Sequence, residues 1–169
     1  GCSIGRNASY FMNFFIQGAA NGYMPFASYN YGAGNFKRLY KSIIWSLAVL
    51  TGYSLITDVV IWNFASEYIG LFASNEASII YGVRYIMAYT LSLPIYAAYY
   101  ILTISLQASG KGRESMILSV SRQGLIYIPL ILILPVFFQE NGIYYTQPLS
   151  DWLTVILAVI LSWDLLKEI

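Results

Sequence analysis

The feature that most constrains this chain is a succession of five runs, each about 20 residues or longer, in which charge is nearly absent: residues 8–31, 42–64, 78–107, 115–138 and 149–166. A helix rises about 1.5 Å per residue, so about 20 apolar residues cross the roughly 30 Å of hydrocarbon in a bilayer. Each run reads as a transmembrane helix, and the chain as an all-α, polytopic integral membrane bundle. The stretches 130–134 and 153–161 carry the plainest lipid-facing signal, and the first run the weakest. At 58% hydrophobic, 10% charged and a mean hydropathy of +0.60, the 169 residues exclude an ordinary water-soluble fold. Nine bases against eight acids leave no basic field for a nucleic acid, and without a histidine no imidazole chemistry is available. Cys2, the single cysteine, excludes an internal disulfide or a cysteine-built metal site. The opening Gly1, with no charged segment and cleavage site behind it, predicts that further sequence precedes these spans.

The connections alternate in charge. Lys37, Arg38 and Lys41 follow the first run, Lys111 and Arg113 the third and Lys167 the last, whereas 65–77 and 139–148 hold Glu67, Glu76 and Glu140 and no base. Because short cytoplasmic loops accumulate Lys and Arg, the basic turns and the C-terminus are expected in the cytoplasm, in a multi-pass protein of the plasma or bacterial inner membrane. Pro148, Ser150 and Asp151 read as the start of the fifth helix, with two side-chain oxygens to cap it.

Three departures from plain anchors point to more than anchoring. Asn13, Gln17 and Asn21 recur at four-residue spacing beside Gly18 and Gly22, so their amides must meet another helix or a polar cavity. In the third run Ser78, Tyr81, Tyr85, Tyr89, Ser92, Tyr96, Tyr99, Thr103 and Gln107 fall within an arc of about 80°. Val83, Ile86, Met87, Ala98, Ile101 and Leu102 form the opposite, lipid or packing face. Such tyrosines either pack on neighbouring helices or line a path for lipophilic cations. Pro25, Pro94 and Pro129 each remove a backbone donor inside a span. Of the charges within spans, Arg122, beside Gln123, either borders a polar cavity or snorkels to the interface. Asp58 and Arg84, reckoned at matching depth about 9 Å inside consecutive spans, are expected to pair; alternatively Asp58 is an ion site and Arg84 reaches toward Glu76.

The run Gly22-Tyr23-Met24-Pro25, then Ser28-Tyr29-Asn30-Tyr31-Gly32-Ala33-Gly34-Asn35 and Lys37-Arg38, resembles the cytoplasmic end of the second helix in the C-terminal half of a multidrug and toxic compound extrusion (MATE) transporter. Leu106-Gln107-Ala108 with Gly110-Lys111, Ser121-Arg122-Gln123 with Pro129 and Pro135, and Asn141-Gly142-Ile143 with Pro148, Ser150 and Asp151 resemble later signatures of that family, in the same order. The resemblance implies a secondary antiporter of two similar six-helix halves, exporting drugs or small organic, cationic substrates in exchange for Na⁺ or H⁺, with no further cofactor. The five spans would be helices eight to twelve of a MATE-type C-terminal lobe, whose partner is the missing N-terminal half. Asn13, Gln17, Asn21, Pro25, Tyr89, Tyr96, Tyr99, Arg122 and Gln123 are then candidates for the substrate pathway, and Asp58 for ion coupling. Some members carry an ion-binding carboxylate in the helix matching the third run. Residues 78–107 have none, which directs coupling to the missing half. A flippase for a lipid-linked or amphipathic substrate, and a channel or structural membrane subunit, remain alternatives. An enzyme would rest on Asp58, Arg84 and Arg122, too sparse for an active site.

Overall fold

The computed structural model describes residues 2–73 and 75–168; Gly1, Ser74 and Ile169 lie outside the described residues. Among these there is no strand. The helices are α1 (Cys2–Gly32), α2 (Phe36–Gly70), α3 (Glu76–Thr90), α4 (Leu93–Ala108), α5 (Gly112–Val120), a π-helical turn at Ser121–Ile126, α6 (Tyr127–Phe138) and α7 (Glu140–Glu168). They correspond one to one with the five apolar runs, because α5, the π turn and α6 form one rod, Gly112–Phe138, and α3 and α4 form a pair bent by 53°. By length and apolarity α2, the Gly112–Phe138 rod and Asn141–Lys167 are each able to cross a membrane, and the bent pair is a fourth candidate. With 31 residues α1 has the length, about 46 Å at 1.5 Å per residue, but its amides make it less apolar.

Helix α4 lies at the centre, packed on α1, α2 and α7. It is buried on almost every side, with Leu93, Ala97, Ile101 and Leu106 fully enclosed. A helix apolar all round belongs in such a place. Peripheral elements show the reverse: α6 has no buried residue, and Trp45, Ile56, Leu132, Val136 and Phe137 stand exposed, an apolar skin of the kind lipid accommodates. Several hydroxyls buried in the bundle bond their own helix one turn back, as Thr103 does to the Tyr99 carbonyl at 2.8 Å and Ser105 to that of Ile101 at 2.7 Å. In surroundings without water this satisfies them locally.

Two turns share one construction. After α1, Gly34 takes φ +68°, its N–H donates to the Tyr31 carbonyl at 3.0 Å, and that of Asn35 donates to the Asn30 carbonyl at 2.8 Å. After α4, Gly110 takes φ +75°, with the same bonds to Gln107 (3.1 Å) and from Lys111 to Leu106 (2.9 Å). This left-handed glycine closure satisfies carbonyls that a helix end leaves open. At the opposite end Asn75 caps α3 through the Ala77 N–H at 3.0 Å, and Gln139, at φ +50°, turns the chain from α6 into α7.

Several expectations are corrected. The spans at 8–31 and 42–64 lengthen to Cys2–Gly32 and Phe36–Gly70, the latter with one non-helical residue, Phe64. The run at 78–107 is two helices. Pro94 stands at the second position of α4, where its missing N–H would have had no partner, so it begins a helix instead of breaking one. The fifth helix begins at Glu140, not 149, and carries Pro148 inside, so Ser150 and Asp151 cap nothing. Its added turns are held against α6 where Gly142 meets the Leu134 backbone. Of the two readings of the face of Val83, Ile86, Met87, Ala98, Ile101 and Leu102, packing holds for most of it and needs no correction: Ile86, Ile101 and Leu102 are buried and only Met87 is exposed.

Candidate functional site

A polar seam crosses the apolar bundle where the α3–α4 pair bends. On its α1 side the Asn13 amide donates to the Tyr89 hydroxyl at 2.6 Å, and the Gln17 amide to the Tyr96 hydroxyl at 2.9 Å, so α1 clasps the helix pair on both sides of the break. Further along α1, the Tyr23 hydroxyl meets that of Ser105 at 3.3 Å. The rings stack along the seam, Tyr85 with Tyr89 at 6.4 Å and Tyr96 with Tyr99 at 6.3 Å between centroids.

On the other side stands Arg122. Its guanidinium carbon lies 4.5 Å from the Tyr96 ring centroid and 5.4 Å from that of Tyr99, within reach of cation–π attraction. Its Nε donates to Asp151 Oδ1 of α7 at 2.7 Å, and the Gln147 amide donates to the same oxygen at 3.1 Å. Asp151 is wholly buried and Arg122 nearly so. Such a pair persists in an apolar medium because each charge answers the other's desolvation. The pairing depends on local backbone: Arg122 lies in the π turn, whose wider winding releases carbonyls from the usual ladder, and the Ser150 hydroxyl donates to the Arg122 carbonyl at 3.0 Å. Pro129, just downstream, cannot donate to the Leu125 carbonyl and crowds it, which favours a widened turn there. Gln147, Ser150 and Asp151, at i, i+3 and i+4, form one face of α7 that grips the π turn. Asp151 Oδ2 and Asn13 Oδ1 are buried without a hydrogen-bond partner, so the seam retains capacity for donors or a cation.

Six sequence candidates thus come together: Asn13, Gln17, Tyr89, Tyr96, Tyr99 and Arg122. Asn21, Pro25 and Gln123 do not, and are exposed. Each four-residue step rotates about 40° around a helix, so the amides drift off the Asn13 face by Asn21. Arg122 does not snorkel; Asp151 holds it inside. Nor do Asp58 and Arg84 pair: Arg84 is exposed, Asp58 Oδ1 is buried without a partner, and no ion pair joins them. The observed ends explain this, since Asp58 lies about 18 Å from the end of α2 and Arg84 about 12 Å from the start of α3, not at matching depth. Gln147, Ser150 and Asp151 are the site residues that sequence reading missed; the available signal was their shared face.

An all-helical bundle with an apolar skin and a bent central span defines a polytopic integral membrane protein. The MatE family model matches residues 1–133, and the chain belongs to that family. It is similar to the multidrug export protein MepA of Staphylococcus aureus strain N315, at 27% identity over 156 residues covering 90% of this chain and 34% of the relative. The MepA of Staphylococcus saprophyticus is 25% identical over the same length and shares. Among solved structures, the MATE multidrug transporter DinF-BH in complex with R6G superposes with a TM-score of 0.83 at 28% identity, covering 93% of this chain and 35% of that one. The chain therefore spans about a third of the length of the relatives it matches.

Proposed function

We propose that this chain supplies part of the C-terminal lobe of a secondary antiporter that exports drugs or organic cations in exchange for Na⁺ or H⁺. Family membership and the multidrug export of its relatives support the reading. The observation that carries it is the Arg122–Asp151 pair under Tyr96 and Tyr99, set where the central span bends and its neighbour adopts a π turn. Alternating access needs helices that shift at defined points, and polar groups that exchange partners as they do. In this reading the exposed, polar stretch of α1 with Asn21 and Pro25 faces the substrate path, and the tyrosine seam behind it sets the position of α1.

For coupling, Asp151 is engaged by Arg122 through Oδ1, whereas Asp58 makes no ion pair among the described residues and keeps one buried, unpartnered oxygen. Asp58 is accordingly a Na⁺ or H⁺ site candidate beside any carboxylate in the rest of the protein. The basic turns after α1 and α4 lie on the cytoplasmic side, as does the C-terminus.

Efflux of a fluorescent lipophilic cation, measured in cells producing the intact protein that carries this sequence, tests the proposal. Tyr96→Ala and Tyr99→Ala are expected to slow export more than Ile101→Ala at equal protein levels. Equal effects would reduce the tyrosines to packing, and no export by the parent would end the transport reading.

A further inference from the structure

Two contiguous grooves open on the surface of the described helices, at the end that carries residues 71–73 and Gln139. The first, of about 430 Å³, lies between α2, α3 and α7 and is lined by Trp62, Arg84, Asn141 and Tyr145 among others. The second, of about 310 Å³, is lined almost wholly by carbon, with Leu134, Phe138, Leu149 and Trp152. Leu91, Asn141 and Tyr145 border both. Each volume is in the range of about 300–1,000 Å³ common for small-ligand sites.

From this arrangement we infer that the double groove binds one anionic phospholipid, its phosphate on Arg84 and Asn141 and an acyl chain along Leu149 and Trp152. Arg84 is a base on an apolar span that is exposed and makes no ion pair among the described residues. A planar guanidinium matches a phosphate with two parallel hydrogen bonds, and a charge at this depth calls for a counter-ion. Asn141 adds an exposed amide at the same groove. The lining then changes character in the direction a lipid requires. Along α7, Asn141 stands one residue from the helix start, and Leu149 and Trp152 follow about 12 and 16 Å further in. Polar contacts thus sit at the bundle end and apolar ones toward its middle. Exposed Trp62 and Tyr145 rim the site as residues of a membrane interface do. A free phosphate ion would use Arg84 but leave the apolar groove without purpose.

The test uses the intact protein that carries this sequence, reconstituted in phosphatidylcholine vesicles, with Trp45→Phe and Trp163→Phe leaving Trp62 and Trp152 as this chain's reporters. Brominated phosphatidylglycerol is expected to quench them with about fivefold preference over brominated phosphatidylcholine, the scale of one basic residue acting on an anionic lipid. Arg84→Gln is expected to abolish that preference and Arg84→Lys to retain most of it, at unchanged thermal midpoint. Native mass spectrometry of the protein without the tryptophan changes gives a second readout, in which co-purified phosphatidylglycerol falls with Arg84→Gln but not with Arg113→Gln. Equal quenching by the two lipids, an unaltered preference in Arg84→Gln, or inorganic phosphate competing the preference away would each overturn the inference.

Discussion

Arg122 and Asp151 form a buried ion pair at 2.7 Å, and their geometry dictates how they respond to change. Removing either partner leaves the other charge buried and unanswered, a loss of about 3–5 kcal/mol, whereas replacing both by apolar residues of similar volume costs far less. Arg122→Ala and Asp151→Ala are therefore each expected to lower the thermal midpoint sharply, and Arg122→Met with Asp151→Leu to recover most of it in detergent-based melting of the intact protein. A double variant as unstable as either single one would show that the pair is not what holds α7 to the π turn. Asp58 and Arg84 behave differently because they do not touch. The exchange Asp58→Arg with Arg84→Asp is expected to restore nothing lost in the single variants, and a rescue would place the two in contact. From sequence, Arg122 was visible as a charge in an apolar run. Its partner was hidden, because Pro148 beside Ser150 and Asp151 mimics a helix start while the real helix passes through the proline unbroken.

At the scale of elements, turns were legible and bends were not. Gly34 and Gly110 announce their turns because only a residue without a side chain enters the left-handed region cheaply. The π turn leaves no trace in hydropathy, since it changes which carbonyl each N–H finds and not which residues are apolar. The bend between α3 and α4 was half-signalled by Pro94, whose role as a helix-starting residue only the backbone reveals. Gly142 has a demand of another kind: a Cβ there would lie 2.5 Å from the Leu134 carbonyl carbon and oxygen and 2.7 Å from the Pro135 nitrogen, all of them backbone atoms unable to give way. Gly142→Ala must push α6 from α7. A loss of about 1–3 kcal/mol is expected, read as a lower thermal midpoint. Gly18→Ala, where nothing lies within 4 Å of the added methyl, is the neutral comparison; equal effects would contradict the close approach.

Across the whole molecule, the long apolar runs were written plainly in the sequence because a bilayer demands about 20 uncharged residues per crossing; three of them, with the bent pair as a fourth, have the length and apolarity to cross one. The seam was legible only in part. Helical periodicity collected the tyrosines on one arc, but the pairing of Asn13 with Tyr89, Gln17 with Tyr96 and Arg122 with both Tyr96 and Asp151 depends on which helices become neighbours. That arrangement sets α1 against the bend of the central span and α7 against the π turn, linking both irregular elements through one set of polar contacts. The most direct measurement is export of a fluorescent lipophilic cation by the intact protein in which Arg122→Met and Asp151→Leu are combined, with thermal midpoint and membrane abundance measured alongside. If the seam works in transport, export falls by about tenfold or more, equivalent to about 1.4 kcal/mol in the limiting step, while the protein stays folded. Export at the parental rate by that folded double variant would contradict it.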